Sequence, residues 1–272
     1  MHERDEAIES LTDAIVRYAV DRVRLTPPPL DRSRSLTELQ AAAGQTVTPA
    51  GIGGIEALRL FQDVLAPATI SVDHTKFLSF VPAAPTEASI LFDLVVGASS
   101  IYAGSWMEGS GAVFAENQAL RWLADLARLP PQAGGVFVSG GTMGNLSALI
   151  AARWSWRQRA DGANDRVRGL VIASNGAHSS IASAARAMDA DIIKVAADER
   201  GRMHGDALRA LVGDLAAADR GRLFAIVATA GTTNAGVVDD LDGAGRLAEE
   251  LGVWFHVDGA YGAAAMCSPR AR

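Results

Sequence analysis

The feature that most constrains the fold of this sequence is a regular alternation of short apolar segments with longer helical ones. Apolar segments of strand length occur at 136–138, 170–172, 191–195, 224–228 and 253–257. Segments with helical spacing precede or separate them, at 116–128, 143–159, 178–188, 205–217 and 241–251. Because this alternation is typical of parallel strands joined by helices, we expect an α/β fold with a mostly parallel sheet flanked by helices.

The N-terminal part of the sequence has a different pattern. Residues 5–24 are predicted to form an amphipathic helix, because Ile8, Leu11, Ile15 and Tyr18 recur at steps of three and four. A second short helix is expected near 55–65. We therefore expect a helical, dimer-forming segment over residues 1–70 and the α/β domain over residues 71–272.

Composition and charge exclude several classes of function. The sequence has 25 basic and 31 acidic residues, a net charge of −6, and lacks the basic surface of nucleic-acid-binding proteins. Its single cysteine, Cys267, excludes an internal disulfide and a cysteine-based zinc site, and no metal site is predicted. No apolar segment has the length of a membrane span, and the charged N-terminus is unlike a signal peptide. We expect a cytoplasmic protein with neither a nucleic-acid nor a membrane partner.

Polar residues follow several of the predicted strands, at the edge where parallel sheets bind ligands. Residues 139–145, Ser-Gly-Gly-Thr-Met-Gly-Asn, stand between a strand and a helix. Small residues and a helix N-terminus suit a phosphate group, although a tight turn with an ordinary N-cap explains the same residues. The segment is not a Walker loop, because no lysine follows the glycines.

Three further polar features occur at strand ends. His178 follows one strand and is either a ligand-facing residue or a neighbour of a helix cap. Thr229 begins a hydroxyl-rich loop over 229–236, which an ordinary turn also explains, and Asp239 and Asp240 are expected to cap the next helix. Asp258 ends the last strand, where a buried carboxylate needs a cation or several donors. A structural cap or the protonated ring nitrogen of a cofactor would supply them, and together these features suit pyridoxal 5′-phosphate (PLP).

These residues resemble the group II PLP-dependent amino acid decarboxylases, the family of aromatic-amino-acid, glutamate and diaminobutyrate decarboxylases. The resemblance runs from about His74 to the C-terminus. It is carried by His74-Thr75-Lys76-Phe77 with Phe80 and Pro82, by Ser105-Trp106, and by the stretches 135–146, 177–180, 229–233 and 256–261. It implies the large domain of a fold-type-I PLP-dependent transferase.

The resemblance also implies roles for individual residues. The catalytic residues would be His178 and Asp258. The residues that bind the cofactor would be Gly141, Thr142, His178, Thr229, Asp258 and Ala260. The substrate side chain would lie near Phe80, Val81, Pro82, Tyr102 and Gly104.

The implied function is the α-decarboxylation of an L-amino acid by a cytoplasmic, homodimeric lyase of amino acid metabolism. The chain departs from the family at Thr75, at Gly104 and over 107–111, and these departures leave the substrate open. Another fold-type-I reaction stays an alternative: aminotransfer, carbon–carbon cleavage or aldehyde synthesis. So does a non-catalytic subunit or fragment that lacks the lysine.

Lysine is scarce in this sequence. It has two, Lys76 and Lys194, and neither occupies the family's Schiff-base position, which lies a few tens of residues beyond the Asp258 motif. The chain ends at Arg272. We therefore expect about the first half of such an enzyme, without its last strands and small C-terminal domain, and we expect this half alone to be inactive.

Overall fold

The structure is a computed structural model that describes residues 4–159 and 166–270. The chain forms two compact units, Met1–Ile101 and Tyr102–Arg272. The first unit contains α1 (Glu6–Val23), α2 (Leu36–Ala43), α3 (Gly54–Leu60) and α4 (Glu87–Ala98), with a π turn (Phe61–Leu65) and a 3-10 turn (Ala66–Ala68) after α3. The expected domain division after residue 70, with its dimer-forming segment, stays a prediction.

The second unit contains the sheet and the helices that pack on it. Its elements in chain order are α5 (Trp106–Leu126), α6 (Gly141–Arg159), β1 (Leu170–Ser174), α7 (Ser179–Ala187), β2 (Asp191–Val195), α8 (Gly205–Asp214), α9 (Ala217–Gly221), β3 (Leu223–Thr229), α10 (Leu241–Leu251), β4 (Trp254–Asp258) and a final 3-10 helix (Gly262–Cys267).

The described strands form one parallel sheet in the order β2-β1-β3-β4. This confirms the predicted α/β fold with a parallel sheet. All residues of β1 and β3 are buried, as expected for central strands covered on both faces. The register pairs the last residue of β3, Thr229, with the last residue of β4, Asp258.

Two apolar cores cover the two faces of the sheet. Alternate residues of β1 and β3 point to opposite faces. On one face, Val171 and Val227 pack with residues of α6 and α7, among them Leu149 and Ile181. On the other face lie α8 and α10, with Leu170, Ile172, Ile226, Leu208 and Leu247. The two cores hold the ends of the strands and helices at fixed positions.

The predicted N-terminal helix is present as α1. Two residues of its apolar face pack within the first unit: Tyr18 meets Phe61 edge to face at 5.9 Å, and Leu11 lies against Gly54, where a Cβ atom would collide with it. Ile8 and Ile15, on the same face, are exposed. Among the described residues, no helix combines the length and apolar character needed to cross a membrane.

Two predicted elements differ in the structure. The strand prediction for 136–138 is wrong: the segment pairs with no described strand and Val136 is 64% exposed. Strand-forming residues need a partner strand, and sequence periodicity cannot show whether one is present. The helix predicted at 116–128 belongs to the longer α5, which is kinked at Gly109. A Cβ atom there would lie 2.7 Å from the Tyr102 carbonyl oxygen.

Asp239 and Asp240 act differently, although both were expected to cap α10. Asp240 caps α10 by accepting from the Gly243 N–H and also accepts from the Gly205 N–H at the start of α8, each at 3.0 Å. Asp239 is buried and instead accepts from the N–H groups of Thr229 and Met203, each at 2.8 Å. One carboxylate thus joins two helix starts, and its neighbour fixes the end of β3.

We expect Asp240→Ala to lower the free energy of unfolding by about 2 kcal/mol, because two N–H groups lose their acceptor. These two bonds hold the pKa of Asp240 below its ordinary value of 3.8, and the bond from Gly243 has the larger effect. The stabilisation is therefore complete above about pH 4 and is lost as the pH falls through the lower pKa of the folded state. Urea unfolding at pH 7 and at acidic pH measures both effects.

The matched control is Asp242→Ala. Asp242 lies in the same helix turn, its side chain is 75% exposed, and it makes a surface ion pair with Arg246. We expect that substitution to change stability by about 0.5 kcal/mol or less. Equal losses in the two variants at pH 7 would contradict the double-capping role of Asp240.

Candidate functional site

A group of polar side chains lies where β3 and β4 end and α6 and α7 begin. Thr229 and Asp258 occupy neighbouring positions at the ends of their strands. Asn145 belongs to the first turns of α6, and His178 immediately precedes α7. This is the carboxyl edge of the sheet, where ligands bind in open α/β folds.

Asp258 is the charged centre of this group. The residue is 7% exposed, and its Oδ2 accepts a hydrogen bond from Asn145 Nδ2 at 2.9 Å. Its Oδ1 accepts from the Ala260 N–H at 3.2 Å. No described basic side chain forms an ion pair with it within 4.0 Å. A buried carboxylate with two neutral donors and no cation is electrostatically suited to a positively charged ligand group.

Asn145 joins three elements through its amide. The Nδ2 group also donates to Ser180 Oγ of α7 at 2.9 Å, and Oδ1 lies 2.8 Å from Nε2 of His256 on β4. His256 and Asp258 are two residues apart on one strand and therefore face the same side. Burial lowers the pKa of His256 below 6.5, against the opposing effect of Asp258, so His256 is neutral at neutral pH.

His178 is the N-cap residue of α7. Its Nδ1 accepts from the Ser180 N–H at 3.2 Å and lies 2.9 Å from Ser180 Oγ. The residue is exposed, and its Nε2 has no hydrogen-bond partner among the described residues. The capping interpretation and the ligand-facing interpretation are thus compatible, because they use different parts of the imidazole.

The loop before α6 approaches the loop after β4. Gly140 has a φ of +100°, which favours glycine, and α6 begins at the exposed Gly141. A Cβ atom on Gly141 would lie 3.5 Å from the Cβ of Ala260. The first N–H groups of α6, including that of Thr142, have no acceptor within the helix. They are available to an anion beside Ala260.

Thr229 contributes an unpaired hydroxyl. Its Oγ1 is buried and has no hydrogen-bond partner among the described residues. The following loop is fixed to the end of β4, since the Ala230 N–H donates to the Asp258 carbonyl at 2.8 Å and the Gly262 N–H donates to the Ala230 carbonyl at 2.9 Å. A buried polar atom without a partner is unusual and marks a place where a ligand or a local rearrangement would satisfy it.

The residues expected near the substrate belong to both units. Phe80, Val81 and Pro82 are exposed residues of the first unit, and Phe80 has an uncommon φ of +61°. Tyr102 and Gly104 belong to the second unit, where the Tyr102 ring lies over Gly104 so closely that a Cβ atom would collide with it. Their assignment to a substrate site stays a prediction.

Both lysines are exposed. Lys76 belongs to the first unit, and Lys194 is on β2, at the opposite edge of the sheet from β4.

Sequence reasoning missed three residues of the site: Asn145, Ser180 and His256. Each had a usable signal. Asn145 is within the small-residue segment over 139–145, Ser180 is two residues after His178, and His256 shares a strand face with Asp258. Their convergence depends on how α6 packs on β4 and α7.

Comparison with known proteins identifies the family. The model of the pyridoxal-dependent decarboxylase conserved domain matches residues 56–272. The chain is 33% identical over 202 residues to an aromatic-L-amino-acid decarboxylase of Bacillus atrophaeus, covering 73% of the chain and 41% of that protein. It is 37% identical over 196 residues to an L-2,4-diaminobutyrate decarboxylase of Rhizobium meliloti, covering 70% of the chain and 38% of the relative.

Solved structures show the same fold. Mouse CSAD matches with a TM-score of 0.87 at 23% identity, over 98% of this chain and 57% of that one. Oryza sativa TDC with PLP and tryptamine matches with a TM-score of 0.86 at 23% identity, over 99% of this chain and 58% of that one. The chain thus spans about half the length of the proteins that it matches. Given the family match over residues 56–272, the chain belongs to the pyridoxal-dependent decarboxylase family.

Proposed function

We propose that the full-length protein to which this chain corresponds is a homodimeric lyase that uses PLP to decarboxylate an L-amino acid at its α-carbon. The observation that carries the proposal is the Asp258 carboxylate, which is buried at the end of β4 with two neutral donors and, within the described part of the chain, no cationic partner. A protonated pyridine nitrogen is a cation of suitable size that also donates one hydrogen bond.

The surrounding residues fit the rest of this cofactor. The start of α6 offers the N–H groups of Gly141 and Thr142 and the Thr142 hydroxyl to a phosphate. Ala260 is small, follows Asp258 by two residues and lies beside Gly141, which supports its assignment to the cofactor site. The hydroxyl of Thr229, which has no partner among the described residues and is at the register position next to Asp258, supports its assignment to a polar substituent of the cofactor ring.

When bound, PLP supplies a ring that accepts the electron pair released as a bond to the substrate α-carbon breaks. Asp258 would hold a proton on the ring nitrogen, because a carboxylate in a largely buried position favours a cation beside it. His178 Nδ1 is occupied by Ser180, and Nε2 has no hydrogen-bond partner among the described residues. The proposed role of His178 would be to stack on the ring and to orient the substrate carboxylate.

Cofactor binding is testable without a lysine by using pyridoxamine 5′-phosphate, which binds non-covalently. We expect this chain to bind it, and Asp258→Ala to weaken binding by about tenfold or more, since a charge-assisted hydrogen bond is lost. Isothermal titration calorimetry measures the dissociation constants. Asp214→Ala is the matched control, because Asp214 is an exposed carboxylate at the end of α8. Equal affinities for wild type and Asp258→Ala would contradict the assignment.

The reaction is tested on the full product of the gene. Incubation with PLP and a panel of L-amino acids should release carbon dioxide and leave the corresponding amine. Formation of a 2-oxo acid without carbon dioxide would indicate aminotransfer and would overturn decarboxylation.

Exposed apolar surface in the first unit, beyond the predicted dimer-forming segment 1–70, supports the proposed dimer. Helix α4 exposes five large apolar side chains: Leu91, Phe92, Leu94, Val95 and Val96. Large contiguous apolar patches on a soluble protein mark interaction sites. A second subunit would cover this helix.

We expect Phe92→Glu to shift the full gene product from dimer towards monomer in light scattering at micromolar concentration, because it places a charge at the interface. The control Gln40→Glu adds the same charge at an exposed position of α2 and should leave the dimer intact. A wild-type protein that is monomeric and active at this concentration would overturn the dimer.

A further inference from the structure

We propose that Asn145 is a positioning residue that holds the two predicted catalytic groups, Asp258 directly and His178 through Ser180, in one hydrogen-bond relay. The inference rests on the proposed function for the roles of Asp258 and His178. The relay itself rests on the contacts of α6, α7 and β4.

The orientation of the Asn145 amide follows from its neighbours. The Asp258 carboxylate can only accept, so the atom of Asn145 that lies 2.9 Å from Oδ2 must be the donating Nδ2. Oδ1 then faces His256 Nε2 at 2.8 Å, so this nitrogen must carry the proton that it donates. The lowered pKa of His256 agrees with a neutral imidazole in its Nε2–H form.

The second hydrogen of Asn145 Nδ2 extends the relay to His178. It donates to Ser180 Oγ at 2.9 Å, so the hydroxyl hydrogen of Ser180 is directed elsewhere. His178 Nδ1 already accepts from the Ser180 N–H and is therefore unprotonated. The hydroxyl consequently donates to His178 Nδ1, at 2.9 Å, and a neutral His178 carries its proton on Nε2, towards the open side.

The relay has two consequences for the site. Asp258 is held by one donor on each oxygen, so its carboxylate plane cannot rotate freely and a lone pair stays available to a ring nitrogen. His178 is held in one tautomer with its Nε2–H exposed. Asn145 is itself 5% exposed, so its bonds are little weakened by competition from water.

The first test is the tautomer of each histidine in the ligand-free chain at neutral pH. Long-range ¹H–¹⁵N spectra distinguish the two forms, and His178→Gln and His256→Gln assign the signals. We expect both residues in the Nε2–H form. A His178 that carries its proton on Nδ1 would overturn the relay.

The second test uses two substitutions that break the relay at different points. In Asn145→Leu, which keeps the branched shape of the side chain, we expect His256 to become a tautomer mixture, because it loses its acceptor. We expect the His178 Nδ1 signal to shift, because the Ser180 hydroxyl is free to turn while the Ser180 N–H still donates to Nδ1. In Ser180→Ala we expect the His178 Nδ1 signal alone to shift. Asn117→Asp, at an exposed position of α5, is the control and should change neither. An unchanged His178 in folded Asn145→Leu would refute the coupling.

Binding of pyridoxamine 5′-phosphate separates the relay from the proposed function. We expect Asn145→Leu to weaken binding about tenfold, because Asp258 loses one of its two donors, and Ser180→Ala to weaken it about threefold or less. If wild type does not bind but the tautomers follow the expected pattern, the proposed function fails and the relay stands. If wild type binds and Asn145→Leu binds equally well, the positioning role is overturned and the proposed function stands.

Discussion

The hydrogen bond between Asn145 and Asp258 is the interaction on which the site depends. A carboxylate at the end of a buried strand is costly unless donors surround it, and the cost of removing its partner is several kcal/mol. Asn145 provides one of its two donors and uses its remaining polar atoms on Ser180 and His256. The same amide therefore stabilises the charge and sets the distance between α6, α7 and β4, which the proposed cofactor site requires.

The parallel sheet brings these groups together, and its two cores keep them in place. Strands that run in one direction end at one edge, so residues far apart in sequence, such as Asn145 and Asp258, meet there. Asp239 fixes the end of β3 by accepting from Thr229, and the loop bond from Ala230 fixes it to β4. The site is consequently built at the end of a sheet whose central strands, β1 and β3, are buried along their whole length.

Membership of the family and the geometry of the site support different parts of the function. The family match and the relatives at about one third identity support PLP chemistry on amino acids. The geometry supports a cationic ring beside Asp258 and an anion at the start of α6. Neither selects the substrate, because the ring contacts serve several reactions and the residues predicted near the substrate side chain are distributed over two units.

The sequence by itself determined the α/β class, the family and the approximate bounds of most strands and helices, because apolar periodicity and the segments 139–145 and 256–261 are local signals. It did not determine whether 136–138 is a strand, since a strand needs a partner that periodicity does not show. It also did not reveal that Asp239 braces β3 while Asp240 caps two helices. Only the tertiary structure decided that Asn145, Ser180 and His256 surround Asp258, because those contacts depend on how α6 and α7 pack against β4. Hydrogen bonds between distant residues follow from packing, and packing leaves no local pattern in the chain.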